Sequence, residues 1–226
     1  DWHTLGMRAT SSKTVRCKDV FVPAHRVLSM HVTKPGHAWP GLEVHRNPHY
    51  RIPTSALGGD CIGACLVGNA RAAIEAAIDL VKSRSTSYTG AKMRDFPTVQ
   101  LRLSSAAAKT DAAALLMRND CMEAQRLYEE GGTLDVETRL RYKRNCALAA
   151  RLCVEAVDSL HEMAGANGIY DRYPLQRMFR DAHAAAHGLA FLVGSAEGEA
   201  SEPPSAVFMR ADADLLACRA SAPALH

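Results

Sequence analysis

Three stretches of this chain combine residue types that do chemistry. The first, Trp2-His3-Thr4-Leu5-Gly6-Met7-Arg8-Ala9-Thr10-Ser11-Ser12, sets a tryptophan beside hydroxyls and a glycine. That set suits a planar, electron-accepting ring: the indole shields its face while hydroxyls and backbone N–H groups bond its polar edge. The plainer reading is a Ser/Thr turn. The second stretch runs from Tyr173 to His187 through Arg177-Met178-Phe179-Arg180-Asp181-Ala182-His183. At 3.6 residues per turn, Arg180, His183 and His187 share one helix face, and Arg177 and Asp181 the neighbouring one. A histidine on such a face can deprotonate a phenol or hold a peroxide, since its pKa lies near neutrality. It can equally bond a neighbouring carbonyl. Two histidines four apart can also bind a metal, but neither this pair nor His45 and His49 has a third ligand at a matching position, so no metal is expected. The third stretch is Lys82-Ser83-Arg84-Ser85-Thr86-Ser87-Tyr88, followed by Gln100. An arginine among hydroxyls can anchor a phosphate through paired N–H groups, or the loop can simply be solvated. Gly-x-Gly-x-x-Gly and Walker patterns do not occur, so the common nucleotide cradles are missing.

The elements that must position these residues are mainly helical. The chain has 226 residues, 47% of them apolar and only 6% aromatic, with alanine abundant; this favours closely packed helices over a β-sandwich. A formal charge of +3 without a Lys/Arg block argues against nucleic-acid binding. No uninterrupted apolar run reaches about 20 residues, so no membrane span is expected. Seven cysteines, an odd number without Cys-x-x-Cys spacing, point to a reducing, cytoplasmic setting and to small core residues, Cys61 and Cys65 included.

Residues 1–53 read as the end of a β-domain and a connecting loop. Thr14-Val15-Arg16-Cys17 and Lys18-Asp19-Val20-Phe21-Val22-Pro23 alternate as a strand should, and prolines and glycines mark the loop from 34 to 53. Residues 54–192 read as an up-and-down four-helix bundle. Its first helix runs from a Thr54 or Ser55 cap to Ser83, with a stripe of Leu57, Cys61, Ala64, Cys65, Ala72, Ile74, Ile78 and Val81. The second opens at Pro97, carries Leu101, Ala107, Leu115 and Met122, and stops at Gly131-Gly132. The third starts at Asp135, includes Leu148, and ends at Gly165-Ala166-Asn167-Gly168; the fourth opens at Pro174. Alanine-rich faces allow close contact between helices and between subunits, so a homo-oligomer is expected. Residues 193–226, with Gly-Ser-Ala-Glu-Gly-Glu-Ala-Ser-Glu-Pro-Pro, read as a poorly ordered tail. The start at Asp1-Trp2 inside apparent structure suggests a fragment.

In this order the segments resemble the C-terminal half of the acyl-CoA dehydrogenase superfamily. Trp2 to Ser12 resembles its "W…GMR-T-S" flavin segment, Val20-Phe21-Val22-Pro23 with Arg26 its "VFVP-R" strand end, and Arg177-Met178-Phe179-Arg180-Asp181-Ala182 its "R-x-[FY]-R-D-A" helix. Acyl-CoA dehydrogenases continue with a Glu-Gly-Thr loop and many carry a catalytic glutamate there; here Ala184-Ala185-Ala186-His187-Gly188 follows. That is more similar to the two-component flavin-dependent monooxygenases, which hydroxylate small aromatic or phenolic substrates through a C4a-hydroperoxyflavin. The resemblance implies reduced FMN (or FAD) from a separate flavin reductase, and a homotetramer. It places Ser12 near the flavin N5 edge, Trp2 near the ring with Thr10 and Ser11, and Arg84, Ser87 and Gln100 toward the phosphate. His183 or His187 would stand near the transferred oxygen. In relatives that histidine lies eight residues after the arginine of "RD", where this chain has Gly188. As an acyl-CoA dehydrogenase it would need a carboxylate, for which Glu155 and Glu162 are available; a third possibility is a non-catalytic helical oligomerisation module.

Overall fold

Local sequence chemistry starts and stops the helices. The computed structural model describes residues 2–28, 40–86 and 88–194, and in it four long helices follow one another: α1 (Thr54–Ser83), α2 (Pro97–Glu129), α3 (Val136–Ala164) and α4 (Pro174–Gly194). Pro97 and Pro174 open α2 and α4, where a missing N–H costs nothing. Asp135 caps α3 by accepting the Thr138 N–H at 2.7 Å, and hydrogen bonding to that amide holds its carboxyl below the usual carboxylate range. Gly131 (φ 80°) and Gly165 (φ 59°) take up the left-handed turns after α2 and α3.

Each helix packs on its chain neighbours, α4 closes on α1, and α1 and α3 meet across the diagonal. Alanine makes that approach possible: Ala70, Ala73 and Ala77 of α1 lie in one core with Ala149, Ala150 and Ala156 of α3, and Leu66, Leu160 and Leu189 fill the gaps. The mainly α, four-helix architecture expected from the sequence is the one found.

Two expectations change. No strand forms among the described residues: the Val20–Val22 stretch is unpaired, with Phe21 87% exposed. A strand needs a neighbouring backbone to bond, and among the described residues none bonds this one. Cys61 and Cys65 are exposed, as are Leu101, Leu115, Met122 and Leu148; the buried faces are instead those of Ala70 on α1 and of Ala106, Ala113 and Met117 on α2. Large and small apolar residues occupy both sides of these helices, and packing selects the small ones because they allow the closest approach. Helix α1 is also long and apolar enough, by length and composition, to cross a membrane, although no uninterrupted run reaches that length. Loop residues 29–39, Ser87 and the 195–226 tail lie outside the described residues.

Candidate functional site

The first chemical stretch and the fourth helix form one joint. Within Trp2–Ser12 a single carbonyl, that of Met7, accepts the Trp2 indole N–H (3.1 Å), the Thr10 hydroxyl (2.8 Å) and the Thr10 backbone N–H (3.1 Å). Met7 (φ 53°) and Ser11 (φ 48°) both take the left-handed conformation, which side-chain-bearing residues hold only where surrounding bonds fix them. Arg8 Nε donates to Thr4 O at 2.9 Å. The turn is then riveted to α4: Asp181 accepts the Met7 N–H at 2.6 Å, and Arg180 donates from Nη1 to Leu5 O (3.0 Å) and from Nε to Gln176 Oε1 (2.8 Å). Gly6 is buried in this joint; a Cβ there would stand 2.0 Å from the Arg180 carbonyl oxygen. The Gly-Met-Arg and Arg-Asp motifs are thus two halves of one contact. Thr10, Ser11 and Ser12 stay exposed beyond it. Met7, Arg8, Ala9, Arg177, Arg180 and Asp181 line a cleft of about 420 Å³.

His183 faces α3. Its Nε2 lies 2.8 Å from Asp158 Oδ1, and its ring packs on Phe179, with centroids 4.5 Å apart. Phe179 in turn stacks on His161 at 4.4 Å, whose Nε2 bonds Gly168 O at 3.0 Å. His183 therefore spans the α3–α4 seam. His187, one turn further, is exposed, and a Cβ on Gly188 would meet nothing within 4 Å. Asp158 and His161 were not singled out by sequence reasoning, since nothing local pairs them with His183.

Arg84 has its guanidinium turned toward the α3–α4 turn. Nη1 donates to Ala164 O at 3.1 Å, and with the Asn167 amide oriented to present its oxygen, Nη2 donates to it at 3.1 Å. It closes the end of α3 rather than standing free for a phosphate. Gln100 Nε2 donates to Arg94 O at 3.0 Å and holds the loop before α2. The two carboxylates considered for thioester chemistry are ion-paired: Glu155 with Lys109 at 2.7 Å, and Glu162 with Arg102 at 3.0 Å. Among the described residues no group of three or more His, Cys, Asp or Glu side chains could hold a metal.

Inside the bundle lies a polar cluster that sequence periodicity did not reveal. Burial lifts the Asp60 carboxyl to about 6 and pushes the thiols of Cys121 and Cys146 beside it up to about 11 and about 12. Thiols held protonated in this way are poor nucleophiles. Asn145 donates to both oxygens of Asp120, at 3.1 and 2.9 Å.

Residues 60–191 match the model of the acyl-CoA dehydrogenase C-terminal domain, and the chain belongs to that family. Among its relatives are the flavin-dependent monooxygenase oxygenase subunit HsaA of Rhodococcus jostii RHA1, 35% identical over 81% of this chain and 48% of its own. The oxygenase component of the FADH(2)-dependent resorcinol hydroxylase of Rhizobium sp. MTP-10005 is 35% identical over 81% of this chain and 47% of its own. The chain thus spans about half the length of the curated relatives it matches. Among solved structures, the 3-HSA hydroxylase of Rhodococcus sp. RHA1 superposes with a TM-score of 0.75 at 31% identity, covering 89% of this chain and 54% of that one. XiaF from Streptomyces sp., in complex with FADH2 and glycerol, gives 0.72 at 26% identity, over 90% and 52%.

Proposed function

We propose that this chain is the C-terminal part of the oxygenase component of a two-component flavin-dependent monooxygenase that hydroxylates a small aromatic or phenolic substrate. The observation that carries this reading is the likeness to several oxygenase components named for phenolic or aromatic substrates, among them resorcinol hydroxylase and p-hydroxyphenylacetate 3-hydroxylase, along most of this chain. The donor set of the joint fits a reduced flavin, FMN or FAD: exposed Ser11 and Ser12 hydroxyls, an indole whose N–H is already satisfied, and a cleft edged by arginines. Reduced flavin supplies the two electrons that activate dioxygen, one oxygen atom entering the substrate and the other leaving as water. The chain's own residues orient and move protons. Trp2 would cover one side of the ring, and Thr10, Ser11 and Ser12 would bond its polar edge. The exposed His187 accepts the phenol proton, while His183, held by Asp158, fixes the α3–α4 seam beside it.

A separate flavin reductase would deliver the cofactor in the cytoplasm. Further copies of the chain, in a homotetramer, would cover the exposed Ile62, Leu101, Leu115 and Met122. The test supplies the chain with NADH, a flavin reductase and resorcinol under 18O2, and reads incorporation of one labelled atom by mass spectrometry. Oxidation of an acyl-CoA thioester with an artificial acceptor, without labelled phenolic product, would overturn the reading. Light scattering reads the oligomer.

A further inference from the structure

Several arginines on the bundle surface face carboxylates: Arg71 lies near Asp111, Arg102 near Glu162, Arg141 near Glu123 and Arg151 near Glu155. Those in the cleft beside Met7 do not. Arg8 is held by the Thr4 carbonyl, Arg180 by the Gln176 amide and the Leu5 carbonyl, and Arg177 has no hydrogen-bond or ion-pair partner among the described residues. The one carboxylate lining that cleft, Asp181, accepts the Met7 N–H at 2.6 Å. Neutral acceptors fix the direction of a guanidinium without cancelling its charge. Three cations and one anion therefore line about 420 Å³ of open space.

We propose that this cleft is a binding site for a phosphate group, free or at the end of a nucleotide. Arg177 and Arg8 supply the paired N–H groups, and the edge of Arg180 not spent on Leu5 and Gln176 completes the cation set. A phosphate dianion matches both the surplus of positive charge and the fork geometry of guanidinium, which bonds two oxygens at once. The left-handed backbone at Met7 and the bonds on either side of it hold Arg8 over the cleft before any ligand arrives, so little ordering is left for binding. Arg84, by contrast, has spent its fork on Ala164 and Asn167. The ligand is either free phosphate or the phosphate end of a nucleotide such as FMN. The anion site rests on the cleft itself, and only the FMN occupant rests on the flavin reading above.

The experiment titrates the full chain by calorimetry with inorganic phosphate, FMN and riboflavin, beside Arg177→Gln, Arg8→Gln and the surface control Arg151→Gln. Losing one charge-assisted guanidinium–phosphate contact weakens binding by about tenfold or more. Expected is phosphate binding that falls by that factor in Arg177→Gln and in Arg8→Gln and is unchanged in Arg151→Gln, with helical circular dichroism preserved in all. FMN binding tighter than riboflavin, with the preference lost in Arg177→Gln, identifies the nucleotide as the source. Phosphate binding without that preference identifies free phosphate, and the site stands although the flavin reading loses support. The site is overturned if phosphate and FMN bind no tighter than about 10 mM, or if the affinity ignores both substitutions; riboflavin binding would then leave the flavin reading intact.

Discussion

Replacing Gly6 by alanine tests whether the N-terminal turn is locked to α4 as the structure shows. The new Cβ would stand 2.0 Å from the Arg180 carbonyl oxygen, 2.4 Å from its carbon and 2.7 Å from Asp181 N, all backbone atoms within a helix and unable to yield. Reaching the 3.4 Å of ordinary contact takes a shift of about 1.4 Å. That shift stretches the Met7–Asp181 bond (2.6 Å) and the Arg180–Leu5 bond (3.0 Å) beyond hydrogen-bonding range. Each involves a charged group and contributes about 1.5–3 kcal/mol, so the joint loses up to about 3–6 kcal/mol. Within the turn, only Met7 packs against the main core, so the turn releases on its own and the bundle stays folded. Hydrogen exchange at the Met7 amide reads this directly: protection should fall by at least about 100-fold while amides in the middle of α3 keep theirs. Trypsin should cut after Arg8 and Lys13 faster, with unchanged helical circular dichroism. Met7 protection within about tenfold of the parent would refute the locked joint.

Three further outcomes follow from the same structure. The Asp60 carboxyl is raised by burial from 3.8 to about 6, so its contribution to stability is full below about pH 4 and is lost as the pH rises toward 6; Asp60→Asn should abolish that slope in urea unfolding from pH 4 to 8, and a slope unchanged from the parent would clear Asp60 of the effect. The Tyr142 hydroxyl is buried without a partner among the described residues, so Tyr142→Phe should leave the urea midpoint unchanged or raise stability by up to about 1 kcal/mol, whereas a clear loss would reveal a bond to that oxygen. Gly188 is an exposed helical glycine with open space around its Cα, so Gly188→Ala should stabilise the chain by about 0.5–1 kcal/mol in thermal melts, and a destabilisation would mean that the space is filled.

Helix ends were legible because their chemistry is local. Pro97, Pro174, Asp135 and Gly165 act on backbone groups within one turn of themselves, and their positions set the boundaries of α2, α3 and α4. The buried faces were less so. Helix α1 is apolar on most sides, so Cys61, Cys65 and Ala70 look alike along the chain; only the packing of the other helices buries Ala70 and leaves the two thiols outside. The Val20–Val22 stretch has the alternation of a strand, but alternation fixes which way side chains point and supplies no partner for the backbone.

At the candidate site the same division holds. The sequence by itself determined the inventory: an indole, hydroxyls and Gly-Met-Arg near one end, and Arg-x-x-Arg-Asp with two histidines on a late helix. Only the tertiary structure decided the pairings. The Met7 amide meets Asp181 across 174 residues, His183 meets Asp158 on another helix, and Arg84 turns to the α3–α4 turn instead of toward open solvent. Periodicity reports which residues share a face of their own element, whereas a hydrogen bond depends on where two elements stand, and that is set by how the alanine-lined core packs.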